Sequence, residues 1–242
     1  MMWTEPYSVL VVDDEPLLRG IVRTSLKNSG FVVEEARSGE EAIELVRKRP
    51  FHLALLDVNL PGISGFELCQ HIRVLEPQTG IVMVTVRAAE KDIVQALGVG
   101  ADDYIIKPCR MGELTARCNA VLRRIHPTDA AEEGSITVGN LELDLGRRQL
   151  RKNGNVVRLT PTEFNLLALL MKNQGVALTH AKILRTIWGP EYGKEVEYLR
   201  SYMRLLRKKI ENDPAHPKYL LTEPWLGYRF SAPAPRANSG RT

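Results

Sequence analysis

Cysteine, aromatic side chains and long apolar runs are all in short supply in this chain, and each shortage closes off a class of explanation. The three cysteines, Cys69, Cys109 and Cys118, form an odd, widely spaced set without a Cys-x-x-Cys pair. That pattern argues against a disulfide framework and against a thiolate zinc site. No window approaches the roughly 20 consecutive apolar residues of a membrane span. The opening residues, Met1-Met-Trp-Thr-Glu-Pro6, lack the basic stretch and apolar run of an export signal. Internal repeats are also missing. The expectation is a reduced, cytosolic protein with no membrane partner.

What is present is enough apolar material for two cores: 44% of 242 residues are hydrophobic, and single cores commonly hold about 100–200 residues. Charge is divided unevenly between the halves. Residues 1–126 carry 15 basic and 17 acidic side chains, whereas residues 127–242 carry 18 and 12. A surplus of six positive charges in the second half is the footprint of a module that binds a polyanion, although a basic surface that binds nothing would look the same in composition.

The first half alternates short β-rich runs with amphipathic helical stretches, which is the pattern of a parallel sheet covered by helices. Five strands are predicted at Ser8–Val12, Phe31–Glu35, Leu53–Asp57, Ile81–Val84 and Tyr104–Ile106, with helices near 16–29, 39–48, 65–75, 89–97 and 111–125. Residues 126–134 are polar, contain Pro and lack periodicity, as a linker does. Short β-like pieces follow over Ser135–Leu159, with Asn153-Gly154 as a hairpin turn. Three helices then begin near Thr160, at Leu178–Trp188 and at Val196–Ile210, and two last strands lie within Tyr219–Phe230.

Chemistry gathers at the strand ends. Val9-Leu-Val-Val-Asp-Asp14 and Phe51-His-Leu-Ala-Leu-Leu-Asp57 both close apolar runs with carboxylates. In a parallel sheet these ends share one rim, so Asp13, Asp14 and Asp57 converge and repel one another unless a cation is present. Only hard oxygen ligands are on offer, which favours Mg²⁺. Thr85 and Lys107, at the ends of the fourth and fifth strands, complete the parts needed to accept a phosphoryl group on Asp57. Taken singly, each acid could be a turn former or a helix cap, and Thr85 an ordinary strand residue.

Together with Pro61-Gly62, Gly100-Ala-Asp-Asp-Tyr104 and Lys107-Pro108, these residues resemble the receiver domain of two-component response regulators over residues 7–125. The resemblance implies a flavodoxin-like or CheY-like doubly wound domain with Asp57 as phospho-acceptor. It implies Asp13, Asp14, Asp57 and the Asn59 backbone carbonyl as Mg²⁺ ligands, Lys107 as the phosphoryl-holding ammonium, and Thr85 with Tyr104 as a switch pair. Two departures stand out. Val86 occupies a position that is usually small, and Ile93 replaces a basic residue of the dimer face, where Asp102, Asp103, Glu113 and Arg117 are the expected ion-pair partners.

Residues 135–230 resemble the winged-helix effector domain of the OmpR/PhoB subfamily through Leu159-Thr-Pro-Thr-Glu-Phe164, Ile187-Trp188-Gly, Leu205-Leu-Arg207-Lys-Lys209 and Gly227-Tyr-Arg-Phe230. If Leu199, Met203, Leu206 and Ile210 face the core, Arg200, Tyr202, Arg204, Arg207 and Lys208 line the exposed side of the third helix, which fits a major groove. At the wing, Pro224-Trp225 stands where relatives often carry an Arg. Trp225 is expected to brace the hairpin rather than pack on sugar and phosphate, and Arg229 to make a phosphate or structural contact. The loop Gly189–Lys194 corresponds to a segment that relatives turn toward RNA polymerase. Trp188-Gly-Pro190, Tyr198-Leu-Arg-Ser-Tyr202-Met203 and Leu221-Thr-Glu223 look most like regulators of potassium-transport operons.

The expectation is therefore an N-terminal extension (1–6), a receiver (7–125), a linker (126–134), a winged helix-turn-helix domain (135–231) and a tail (232–242). Its partners would be a sensor histidine kinase, double-stranded promoter DNA, RNA polymerase and, on activation, a second copy bound to tandem half-sites. Enzymic work beyond slow self-phosphorylation and self-dephosphorylation is not expected. Two rivals stay open: a regulator that binds DNA without phosphorylation, and an aspartyl-phosphate hydrolase, which Asn59 in place of a second acid disfavours.

Overall fold

The computed structural model describes residues 6–87, 89–125, 134–190, 192–193 and 195–232. The chain divides near residue 130 into two compact units.

In the first unit, strands and helices alternate: β1 Ser8–Val12, α1 Pro16–Asn28, β2 Val32–Ala36, α2 Gly39–Lys48, β3 Leu53–Leu56, α3 Gly65–Leu75, β4 Gly80–Thr85, α4 Glu90–Gly98, β5 Asp103–Ile106 and α5 Met111–Ile125. The five strands form the expected parallel sheet in the order β2-β1-β3-β4-β5. Helices on both faces explain why β3 and β4 are buried at every position and read as unbroken apolar runs. Edge strand β2 instead carries Glu34 and Glu35 and an exposed Val32. It starts one residue later than predicted, because Phe31 N–H bonds back to Leu26 carbonyl at the end of α1 and its ring turns into the core.

Helix termini follow local rules. Ser38 caps α2, with Glu40 and Glu41 in its first turn and Arg47 and Lys48 in its last, each charge opposing the helix dipole. Ser64 and Glu67 form a reciprocal capping box on α3. The order of the sheet matters most for function. β1 is flanked by β2 and β3, so the winding direction reverses between β1 and β3 and leaves a crevice at the carboxyl ends of those two strands.

The second unit opens with an antiparallel sheet, β6 Ser135–Val138, β7 Leu141–Asp144, β8 Gln149–Lys152 and β9 Asn155–Val157. Asn153 and Gly154 both have positive φ (52° and 79°), as the two-residue hairpin turn requires. Next come α6 Pro161–Lys172, β10 Ala177–Thr179, α7 His180–Ile187, α8 Val196–Ile210, β11 Leu220–Glu223 and β12 Gly227–Phe230, with the last sheet ordered β10-β12-β11. The second helix starts two residues later than predicted. Leu178 and Thr179 are taken by β10, which pairs with β12, and the Thr179 hydroxyl caps α7 by accepting from Lys182 N–H. A three-residue strand is too short to leave a period in the sequence.

Glu211, just past α8, is buried: its carboxylate accepts from the backbone N–H of Lys218, Tyr219 and Leu220 at 2.8–2.9 Å, and its backbone carbonyl accepts from Lys152 Nζ at 2.8 Å. It thereby fixes where β11 begins. Glu211→Ala strands these donors and should lower unfolding free energy by about 2–3 kcal/mol, measured by urea denaturation.

Candidate functional site

Asp13 follows β1 and Asp57 follows β3, and the two strands are neighbours whose last residues, Val12 and Leu56, lie side by side. Asp57 N–H donates to Val12 carbonyl at 2.9 Å, which locks the two strand ends together. One carboxylate oxygen from each of Asp13, Asp14 and Asp57 lies within 4.8 Å of the others. Asp13 and Asp57 are buried, while Asp14 is exposed.

Each buried carboxylate is held at both oxygens. Asp13 Oδ1 accepts from Glu15 N–H at 2.9 Å and Asp57 Oδ1 from Asn59 N–H at 3.0 Å. Their Oδ2 atoms share one donor: Lys107 Nζ, from the end of β5, lies 2.7 Å from Asp13 and 2.6 Å from Asp57. Burial alone would push the Lys107 ammonium down. Hydrogen bonds to Asp13 and Asp57, with their charges, outweigh it and hold the ammonium above the ordinary lysine range. Three carboxylates against one ammonium leave about two negative charges in excess. All the donors are hard oxygens, so the residues fit a divalent ion such as Mg²⁺.

Gly65 opens α3 directly beneath this loop. A Cβ there would fall 2.0 Å from the Asp57 carbonyl oxygen and 2.8 Å from Val58 Cα, so only glycine lets the helix approach. Beside the acids, a cavity of about 310 Å³ is lined by apolar residues that include Leu18, Val22, Leu55, Val84, Val86 and Met111. Val86 is 64% exposed and reaches the cavity wall next to Asp57.

Thr85 ends β4 fully buried, and its hydroxyl accepts from Arg87 N–H at 3.4 Å. Tyr104 is 1% exposed, so its ring already lies inward, and its hydroxyl donates to Arg87 carbonyl at 2.7 Å. Burial pushes its phenol up to about 12. Arg87 also donates from Nε to Asn59 Oδ1 at 2.9 Å and pairs with Asp92 at 3.7 Å. No local pattern marks Arg87. Its importance arises only when the loops after β3 and β4 meet.

The expected dimer face needs correction. Asp102 and Asp103 are fully buried. Asp102 accepts from Ile81 N–H at 3.0 Å and pairs with Arg73, closing the end of the sheet. Asp103 accepts from its neighbour Tyr104 N–H at 2.8 Å and pairs with Arg117 at 3.4 Å. Glu113 remains outward, bonded one helical turn along to Arg117 at 3.1 Å. Arg117 thus serves its own chain.

In the second unit, Leu199, Met203, Leu206 and Ile210 are buried along α8, as their spacing required. Tyr202 is a correction: it is 1% exposed and its ring lies 5.2 Å from that of Trp188. At three residues beyond Leu199 it belongs to the apolar stripe. Arg207 turns back as well, donating from Nε and Nη2 to Leu220 carbonyl (3.0 and 2.6 Å) and from Nη2 to Thr222 hydroxyl (2.8 Å). It braces β11 against α8. Arg229 pairs across the hairpin with Glu223 at 2.6 Å, the structural one of its two expected roles. Arg204 and Lys208 are exposed, and Arg200 is exposed with Glu197 as its ion-pair partner. Trp225 does not brace the hairpin, for its side chain is wholly in solvent. Residues 191 and 194 of the loop expected to face RNA polymerase lie outside the described residues, as do residues 126–133, 233–242 and 1–5 of the expected linker, tail and N-terminal extension.

Comparisons with known proteins match both units. Residues 9–119 match the family described as response regulator receiver domain, and residues 154–230 match transcriptional regulatory protein, C terminal. The chain is 38% identical over 226 residues to the transcriptional regulatory protein KdpE of Mycobacterium tuberculosis, covering 93% of this chain and 99% of that one. It is 38% identical over 223 residues to the KDP operon transcriptional regulatory protein KdpE of Escherichia coli strain K12, covering 92% and 98%. Among solved structures, the OmpR/PhoB homolog DrrB of Thermotoga maritima superposes with a TM-score of 0.51 at 30% identity, over 94% of this chain and 100% of that one.

Two substitutions test the geometry. Gly65→Ala forces α3 away from the Asp57 loop and should cost about 2 kcal/mol or more of stability, read by urea denaturation. Lys107→Met removes the shared ammonium and should cost about 2 kcal/mol at neutral pH. Because the Lys107 pKa is raised on folding, its contribution is complete below the ordinary lysine value and fades as pH rises past it. The gap between variant and wild type should therefore hold through neutral and mildly alkaline pH and narrow only as pH rises past the ordinary lysine value.

Proposed function

Because this chain belongs to the two-component response regulators that join a receiver domain to a C-terminal transcriptional regulatory domain, we propose that its output is set by phosphorylation of Asp57. It is a DNA-binding transcription regulator of the OmpR/PhoB type. The observation that carries the assignment of Asp57 is the Lys107 ammonium held at 2.6–2.7 Å from two strand-end carboxylates.

In the proposed reaction, a carboxylate oxygen of Asp57 attacks the phosphorus of a phosphohistidine on the sensor kinase. The new O–P bond forms as the P–N bond breaks, and the electron pair leaves with the imidazole nitrogen. Lys107 follows the transferred oxygens, Thr85 offers its hydroxyl to one of them, and Gly65 keeps the Asp57 loop in place. Mg²⁺ held by Asp13, Asp14, Asp57 and the Asn59 carbonyl supplies charge neutralisation. Small acyl phosphates would serve as slow donors and water as a slow acceptor. The modification adds about two negative charges at one buried point, and the Thr85, Arg87 and Tyr104 contacts are the path by which the α4–β5 face responds.

The DNA-facing surface is assigned to α8, with Arg204, Lys208 and Arg200 outward in the major groove. Arg207 and Arg229 hold the wing in register behind it. Two copies would occupy tandem half-sites, because joining two weak contacts raises effective concentration. Their contact is assigned to the α4–β5–α5 face, where Ile106 is 42% exposed and Glu113 points outward. Such a regulator works in the cytoplasm with its kinase and RNA polymerase, and the promoter of a potassium-transport operon is the first target to examine.

A footprinted promoter duplex separates phospho-control from constitutive binding. Wild type and Asp57→Ala are each titrated with and without acetyl phosphate. Affinity should rise roughly tenfold on treatment for wild type alone. Equal affinity in all four conditions overturns phospho-control, whereas multiple turnover of acetyl phosphate at ordinary enzymic rates would favour the hydrolase.

A further inference from the structure

Residues two apart along a strand lie on one face of the sheet. Val11 and Asp13 at the end of β1, and Leu55 and Asp57 at the end of β3, therefore each set an apolar side chain behind an acid on the same side of two neighbouring strands. All four line the cavity of about 310 Å³ beside the acidic rim. Helix α1 contributes Leu18 and Val22 to its wall, and α5 contributes Leu114. Apart from Asp13, Asp57 and Lys107, every residue lining it carries an aliphatic or sulfur-bearing side chain. Protein interiors leave few voids larger than a water molecule, and a dry cavity of about 150 Å³ already holds a benzene ring. A hydrated divalent ion accounts for the carboxylates but has no use for so large an apolar space.

The charged end of the cavity decides what kind of molecule suits it. An ionised carboxylate offers about four acceptor sites. Asp13 and Asp57 each give one oxygen to a backbone N–H and the other to Lys107, so acceptor capacity remains on both. With Asp14 close by, the acids outnumber the ammonium. An anionic head would be repelled there, and a neutral head would leave the surplus charge unmet. An added ammonium is attracted by the surplus and can donate to the acids alongside Lys107.

We propose that this cavity binds a small primary amine with a compact apolar body: the ammonium bonds Asp13 and Asp57, and the body fills the space between the sheet, α1 and α5. Bound there, the amine keeps a divalent ion off the same carboxylates, because two cations at such close range repel one another. The binding stands on the cavity and the acids alone. Its consequence, slower phosphoryl transfer to Asp57, rests on the function proposed for that residue.

The probe is phenethylamine, titrated into the full chain without divalent ions. Binding is read by calorimetry and by protection of Cys109 from N-ethylmaleimide, followed by mass spectrometry. Cys109 lines the cavity and is only partly buried, whereas Cys69 and Cys118 are buried. Both readouts should give a dissociation constant on the order of 0.1–1 mM, as suits so small a ligand. Ethylamine, which lacks the ring, and phenethyl alcohol, which lacks the charge, should each bind at least roughly tenfold more weakly. Added Mg²⁺ should raise the apparent constant for the amine in proportion to its concentration. Val22→Phe fills the cavity and should abolish amine binding while leaving Mg²⁺ binding as in wild type. Asp57→Asn keeps the cavity and should weaken the amine roughly tenfold, so the proposal stays testable if the first variant fails to fold. It is overturned if either control compound binds as tightly as phenethylamine, if Mg²⁺ does not compete, or if heat is released without protection of Cys109. Acetyl phosphate separates this site from the signalling reading: if the amine binds as expected but Asp57 takes up no phosphoryl group even in its absence, phospho-control fails and the cavity site stands.

Discussion

Much of this molecule's chemistry depends on one ammonium group reaching two carboxylates. Lys107 Nζ comes from the end of β5, the last strand of the first unit, to the buried acids of the first and third, and spans the rim where three strand ends meet. Without it, Asp13 and Asp57 would stand side by side in a desolvated crevice with like charge. With it, the pair is held but not neutral, since Asp14 adds a third negative charge within 4.8 Å. A site that is held together but still anionic favours a divalent cation. The topology makes this possible, because the crevice opens only where the winding direction reverses at β1 and β3.

The parallel sheet was readable because buried strands and amphipathic helices leave different periods, and α8 was readable over its full length for the same reason. Five residues near the acidic site were legible because each closes an apolar run. Other features were hidden for physical reasons. Asp102 and Asp103 look like surface acids in sequence, yet Asp102 satisfies Ile81 N–H across the sheet's end, a contact that depends on strand register, and Asp103 is buried against Arg117 of α5. Arg87 joins two loops brought together only by the fold. Glu211 anchors three amides across a loop of several residues, which no local period reveals. Tyr202 was legible in principle, because its spacing from Leu199 belongs to the buried stripe.

Counting positive charge overstates the basic surface offered to a polyanion. Arg207 and Arg229 spend their guanidinium hydrogen bonds within the chain, on β11 and across the hairpin. Lys209 pairs with the buried Glu163, and Arg148 bonds Asn165 with its guanidinium 4.5 Å from the Phe164 ring centre. The outward set on α8 reduces to Arg200, Arg204 and Lys208. Arg207 alone of the inward arginines lies on α8, where it ties the helix to Leu220 and Thr222. Charge in this unit thus has two placements, one that ties elements together and one that stays in solvent.

The same distinction bears on how a phosphoryl group on Asp57 could be felt elsewhere. Tyr104 is already inward and already bonded to Arg87 carbonyl in this structure. The weaker link is the 3.4 Å contact between Thr85 hydroxyl and Arg87 N–H. A hydroxyl drawn to an anionic oxygen must give up that long contact at small cost, since hydrogen bonds weaken steeply with distance. Arg87 would then be released at its backbone N–H while still held through its carbonyl, its Asn59 bond and its Asp92 pair. A population shift of that kind needs only a differential preference of the phosphorylated site for one loop arrangement.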